Sequence, residues 1–330
     1  FRAVTTTDLI QSIVMSLALV AVLVYGIGAA GGWDAVVTNA QSLTGYLTMM
    51  ASHDAATSTA TSYSLLDIVS TMAWGLGYFG MPHILLRFMA IEDEKKLVLS
   101  RRIASVWVVI AMTAGVLIGI VGLGMTKAGA LETLTGSNSE TIIVRIAGII
   151  SQHNALTALI AGIILAGILA ATMSTADSQM LAAASGVSQN IVHDFLKIKI
   201  SEKTNLLIAR LTIVGIAIVS IFLARNPNSS VFKIVSFAWA GFGGAFGAVV
   251  LCSLFWKRCN LAGAIAGIIS GGATVFIWKY LIRPLGGILD IYELLPAFIV
   301  SLIFIIVVSL LTKAPDEEIV REFEAASQKA

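Results

Sequence analysis

The apolar run AGIILAGILAAT, residues 161–172, leads into two adjacent hydroxyls, Ser174 and Thr175, and then an acid, Asp177. Polar groups in hydrocarbon are expensive and tend to mark a function. Neutral hydroxyls and freed backbone carbonyls offer hard oxygens with little net charge, the donor set that suits a small monovalent cation at a discontinuous helix. A divalent ion would call for more carboxylates. Carbonyls around Ala170 and Ala171 could join such a set if the helix bends there, and Asp177 lies one turn beyond Ser174, close enough to support it from behind. The plain alternative is that each hydroxyl bonds back to a carbonyl one turn earlier and is thereby satisfied. The residues alone leave both readings open.

A second constellation is TMAWGLGYFGMPHILLRF, residues 71–88. Glycines let another backbone approach closely, and Pro82 cannot donate to the Tyr78 carbonyl. The spacing predicts a helix broken or kinked near 75–82, its freed backbone groups facing protein or a cavity. Trp74 and Tyr78, four apart on a helix, would share a face and offer two aromatic surfaces to a small zwitterion with an apolar ring or chain. The competing reading is an interfacial aromatic belt in an ordinary span. His83 lacks the further donors that a metal site needs. Asp8, in TTTDLIQ, reads either as a helix cap or as a gate on an exit path.

These residues sit in a chain of 330 residues that is 57% hydrophobic and 12% charged. Its mean hydropathy is +0.91. A soluble surface needs more charge than that, so the class is an integral membrane protein. No basic stripe or aromatic–basic platform exists for nucleic acid. Four scattered histidines and two cysteines give no nucleophile–base set, so an enzyme is not expected. Cys252 and Cys259 read as ordinary thiols.

Eight apolar stretches have the length of a helical span: about 9–30, 68–88, 103–125, 155–180, 206–224, 231–255, 261–281 and 292–312. The fourth has the character to continue as helix through 181–195, and 141–150 reads as a short amphipathic helix. The expected architecture is an all-α polytopic membrane protein, with a transporter region over 1–312 and a polar tail at 313–330. Small residues at Gly241, Gly244, Ala245, Ala248, Gly263, Gly267 and Gly271 predict close helix packing. Fifteen of the 21 Lys and Arg, Arg2 and Lys329 among them, fall on one set of loops and ends. By the positive-inside rule that side, with both ends, is cytoplasmic. The start at Phe1, without a methionine or a charged leader, looks like the middle of a protein.

Four of these segments, in order, resemble the sodium/solute symporter family. They are FRAVTTTDLIQ, WGLGYFGMPHILLRFMA, ILAATMSTADSQML, and the late pair AWAGFGGAFGAVVL and FWKRCNLAGAIAG. The similarity covers almost the whole chain. It implies a partial inverted-repeat fold with a ten-helix core, of which this chain would begin at the fifth helix, so that the N-terminal helices of the same protein would be missing partners. It implies alternating-access symport of sodium, as the coupling ion, with a solute across a bacterial cytoplasmic membrane. WGLGYFG tilts the solute toward L-proline, against another small amino acid or carboxylate. Trp74, Tyr78 and Pro82 match the positions tied to solute binding or access. Ser174 and Thr175 match hydroxyl sodium ligands, helped by the Ala171 carbonyl, and Asp8 matches an acid on the sodium exit route. Where this chain has STADSQ, proline-type members resemble STLSCQ, which leaves Asp177 in a supporting place only. A membrane sensor or scaffold is the alternative from another class, and the short tail argues against a sensor. Lipid is expected around the spans.

Overall fold

The computed structural model describes residues 2–54, 57–198, 200–225 and 230–327. Phe1, Lys199 and Lys329, used above for the chain start and the charge bias, lie outside these residues. The chain divides into two compact units, one of Phe1–Thr61 with Ile91–Ser230, the other of Ser62–Ala90 with Val231–Ala330.

The first unit is built on three long helices. These are α1 (Arg2–Ala29), α5 (Lys96–Lys127) and α7 (Ala155–Ser185), joined by the shorter α2 (Trp33–Gln41) and α6 (Ile142–Ser151) and followed by α8 (Glu202–Leu223). α7 starts on a reciprocal cap: the Asn154 side chain accepts from Leu156 and Thr157 N–H, while the Asn154 N–H donates to the Thr157 hydroxyl. It runs without a break to Ser185 and continues through 186–195 as a π-helix, the continuation expected from its composition. Val22, Val121, Met125, Ile146, Ile150 and Ile164 form the buried core where α1, α5, α6 and α7 meet. The connection 31–67, featureless in sequence, holds α2 and a short hairpin, β1 (Ala51–Asp54) and β2 (Thr59–Ser62). Val36 and Ala40 of α2 are buried, which explains a helix in so polar a stretch.

The second unit holds the segment 68–88, and it is broken within the expected 75–82. It is three pieces: α3 (Leu65–Met72), a 3₁₀ helix (Ala73–Gly80) and α4 (Pro82–Met89). The break falls on Met81, whose backbone is extended (φ −86°, ψ 109°), the conformation that a following proline favours. Pro82 then opens α4 at the position where a missing N–H is harmless. α9 (Val231–Phe242) and α10 (Ala248–Phe255) form one rod through a π-turn at Gly243–Gly247. α11 (Leu261–Ile277) and α12 (Leu294–Leu311) pack along the expected small-residue seam, where Gly263, Gly267 and Gly271 face Ser309, Ile305 and Ser301. Gly241 has no neighbour where a side chain would stand, so it is not part of a seam. α13 (Glu317–Ser327) is the polar tail helix.

Seven helices among the described residues are long and apolar enough to cross a membrane: Val4–Ala29, Lys96–Lys127, Ala155–Phe195, Glu202–Leu223, Val231–Phe255, Leu261–Leu285 and Leu294–Leu311. The protein is an all-α polytopic membrane protein with one small hairpin.

Candidate functional site

In the first unit, Ser174 and Thr175 lie within unbroken α7, so the bend that would have bared the Ala170 and Ala171 carbonyls is not there. Instead the Ser174 hydroxyl donates to the Ala171 carbonyl at 3.1 Å, and Ser178 donates to the Ser174 carbonyl at 3.1 Å. Ser174 is half-buried, Thr175 exposed and Asp177 half-buried. The arrangement satisfies Ser174 within its own helix and still groups oxygens, because Ala171, Ser174, Thr175 and Ser178 recur at helical spacing on one side of α7. Among the described residues no three His, Cys, Asp or Glu could hold a metal together. A cation here would therefore be held by hydroxyls and carbonyls.

α1 runs antiparallel to α7, with Tyr25 beside His153 and Ala18 beside Gly167. Ala18, Val14 and Met15 meet Gly167. Continuing that register by one to three turns brings Gln11 level with about 170–174 and Asp8 level with about 173–177, since both helices rise about 1.5 Å per residue. Among the described residues the Gln11 amide oxygen is buried without a hydrogen-bond partner. Nothing in TTTDLIQ singles out Gln11, because an orphaned acceptor is visible only once the neighbouring helix is in place. Asp8 lies one turn before it, inside α1 rather than at its start, so it is not an N-cap.

In the second unit the 3₁₀ geometry changes how the aromatic residues relate. With three residues per turn, Trp74, Gly77 and Gly80 share a ridge, and Tyr78 points about a third of a turn away. Trp74 and Tyr78 thus do not share a face, as an α-helix would have required. The glycine ridge lies on α9 and the π-turn after it. A side chain on Gly80 would collide with the Phe242 carbonyl, and one on Gly77 with the Trp239 indole. Trp74 is half-buried and stacks on Phe232 and Trp239, both at 5.5 Å between centroids, and on Tyr292 at 6.1 Å. Tyr78 is exposed and meets the Trp239 ring edge-on at 4.8 Å. Pro82 is exposed beyond the break.

This aromatic nest is anchored through Tyr292, whose hydroxyl donates to the Ser236 carbonyl at 2.6 Å and whose N–H donates to the Ser70 hydroxyl at 3.0 Å. Burial, then the adjacent Glu293 carboxylate, push the Tyr292 phenol well above its ordinary range. Glu293 is fully buried and takes Lys279 at 3.0 Å and Arg283 at 2.8 Å, while Arg283 also holds Asp290 at 2.7 Å. Lys279 and Arg283 count, by sequence, only among the six basic residues off the basic side. Their acid partners lie 7–14 residues away across a turn, and no local spacing rule pairs them.

A family model described as the sodium:solute symporter family matches residues 1–271. The chain belongs to the sodium:solute symporter family. The osmoregulated proline transporter OpuE of Bacillus subtilis is 37% identical over 98% of this chain and 62% of its own length. The sodium/proline symporter of Haemophilus influenzae is 36% identical over 99% of the chain and 63% of its own length. For the sodium/proline symporter of Escherichia coli the figures are 37%, 99% and 61%. The chain thus spans about three fifths of the length of these relatives. The candidate ion site has hydroxyls where a divalent metal would need acids.

Proposed function

We infer that this chain carries the coupling and solute-recognition residues of a sodium-driven L-proline symporter that works by alternating access in a bacterial cytoplasmic membrane. One observation carries the reading. The likeness to proteins named sodium/proline symporters runs over nearly the whole chain, and so takes in both the hydroxyl pair and the broken segment. Residues 1–312 form the membrane region, and 313–330 a cytoplasmic tail. Sodium is cargo. Ser174, Thr175 and the Ala171 carbonyl donate oxygens to it, Asp177 supports them from behind, and Asp8 stands on its exit route. Trp74, Tyr78 and Pro82 serve proline binding or its access path. Membrane lipid surrounds the spans.

The proposed coupling is thermodynamic. Sodium favours the conformation that binds proline well, and proline must then favour sodium by the same factor. The test is radiolabelled proline uptake into proteoliposomes holding the full-length protein, under an imposed sodium gradient, with potassium and lithium controls. Sodium-driven uptake competed by unlabelled proline is the expected result. Sodium-driven movement of a different solute would discard proline and retain the ion site.

A further inference from the structure

Trp239 touches Trp74, Gly77 and Tyr78 of the broken segment. Its indole N–H donates to the Trp74 carbonyl at 3.0 Å. Its ring stacks on Trp74 at 5.5 Å and 16° and meets Tyr78 at 4.8 Å and 84°. It fills the space that any side chain on Gly77 would need. Phe232 lies 5.5 Å from the other tryptophan, Trp74, at an interplanar angle of 11°. Phe232 and Trp239 are two turns apart on α9, a rise of about 10.5 Å. Tyr292 lies near-parallel to the Trp74 ring at 6.1 Å, so Trp74 sits among three near-parallel rings, two of them from α9. The Trp74 ring is held by this cluster, and Tyr78 stands exposed against the edge of Trp239.

The same contact answers a backbone problem. A 3₁₀ helix has poorer hydrogen-bond geometry than an α-helix and rarely runs beyond three or four residues. This one runs for eight, Ala73–Gly80. An indole N–H on the Trp74 carbonyl, at the beginning of the segment, supports it from outside.

We propose that Trp239 is a positioning residue for the solute site: it holds Trp74 by ring and carbonyl and Tyr78 by ring, and so fixes the width of the ring that the site admits. This rests on the proline reading for the identity of the solute, but not for the holding role. Two variants of the full-length protein in proteoliposomes separate the parts. Trp239→Phe keeps a ring and loses the N–H. Removing one part-buried hydrogen bond is expected to raise the proline KM about five- to tenfold, with maximal rate and sodium half-saturation unchanged. Trp239→Leu removes the ring beside Tyr78. It is expected to shrink discrimination between proline and its six-membered-ring homologue about tenfold, the worth of one methylene in a fitted pocket. Hydrogen exchange read by mass spectrometry supplies a measure independent of any solute: amides of 73–81 should exchange faster in Trp239→Phe, and those of α7 should not change. Unchanged exchange at 73–81 would overturn the holding role. Parallel loss of maximal rate and sodium affinity with no KM effect would reduce Trp239 to general packing. A wild-type protein that moves no proline would sink the solute reading, while the exchange data would still decide whether Trp239 holds the segment.

Discussion

Ser174 makes a clean test because its hydroxyl is dispensable to the helix. It donates to the Ala171 carbonyl, an acceptor that α7 already supplies with a backbone partner. Ser174→Ala thus leaves nothing buried and unsatisfied, and thermal stability should change by less than about 0.5 kcal/mol. The proposed ion site, by contrast, loses an oxygen. Sodium half-saturation should rise at least tenfold, roughly the loss seen when a group supporting a bound ion is removed. Ser174→Ala and Thr175→Ala with wild-type sodium dependence would take both residues out of the site. The hydroxyl pair was legible in sequence because polarity stands out in an apolar run. Trp239 and Gln11 were not, because an indole N–H or an amide oxygen gains its role only from a partner on another element. Glu293 was missed for the same reason.

At the scale of elements, the break at Met81 was legible and its geometry was not. Proline and its predecessor obey a local steric rule, and the sequence places the break near 75–82, a range that contains Met81. Whether the preceding turns are α or 3₁₀ depends on what they pack against, here α9. Two glycines separate these influences. A side chain at Gly77 collides with Trp239, whereas one at Gly75 meets open space. Gly77→Ala should therefore destabilise the second unit by about 1–3 kcal/mol through overpacking. Gly75→Ala should be neutral in a detergent melting experiment, and equal melting losses for both would contradict the packing. The Tyr292 anchor gives a pH signature. Its phenol titrates higher in the folded chain than the ordinary value of 10.0, so the neutral, donating form contributes its full stability below about pH 10. That contribution declines as pH rises toward the folded value. Tyr292→Phe should melt lower at neutral pH and lose less of its stability than wild type above pH 10.

For the molecule as a whole, span order and charge bias came from composition, which is a local property summed along the chain. The division into two units did not, because it depends on which helices find each other. Orientation is testable from one crossing. Between Thr133 and Lys203 the chain holds α6, too short to span, and the single long helix Ala155–Phe195. If that helix crosses the membrane, the two residues lie on opposite sides. The basic bias of 197–210 then makes the Lys203 side cytoplasmic. Both residues are exposed. The native thiols give little background, since Cys252 is buried and burial pushes the Cys259 thiol above its ordinary value, leaving it protonated and slow to react at neutral pH. A membrane-impermeant maleimide added to intact cells should therefore label Thr133→Cys, and label Lys203→Cys only after permeabilisation. The reverse pattern would invert the protein. Labelling of both from outside would mean that Ala155–Phe195 does not cross, and the whole alternation of loops would have to be redrawn.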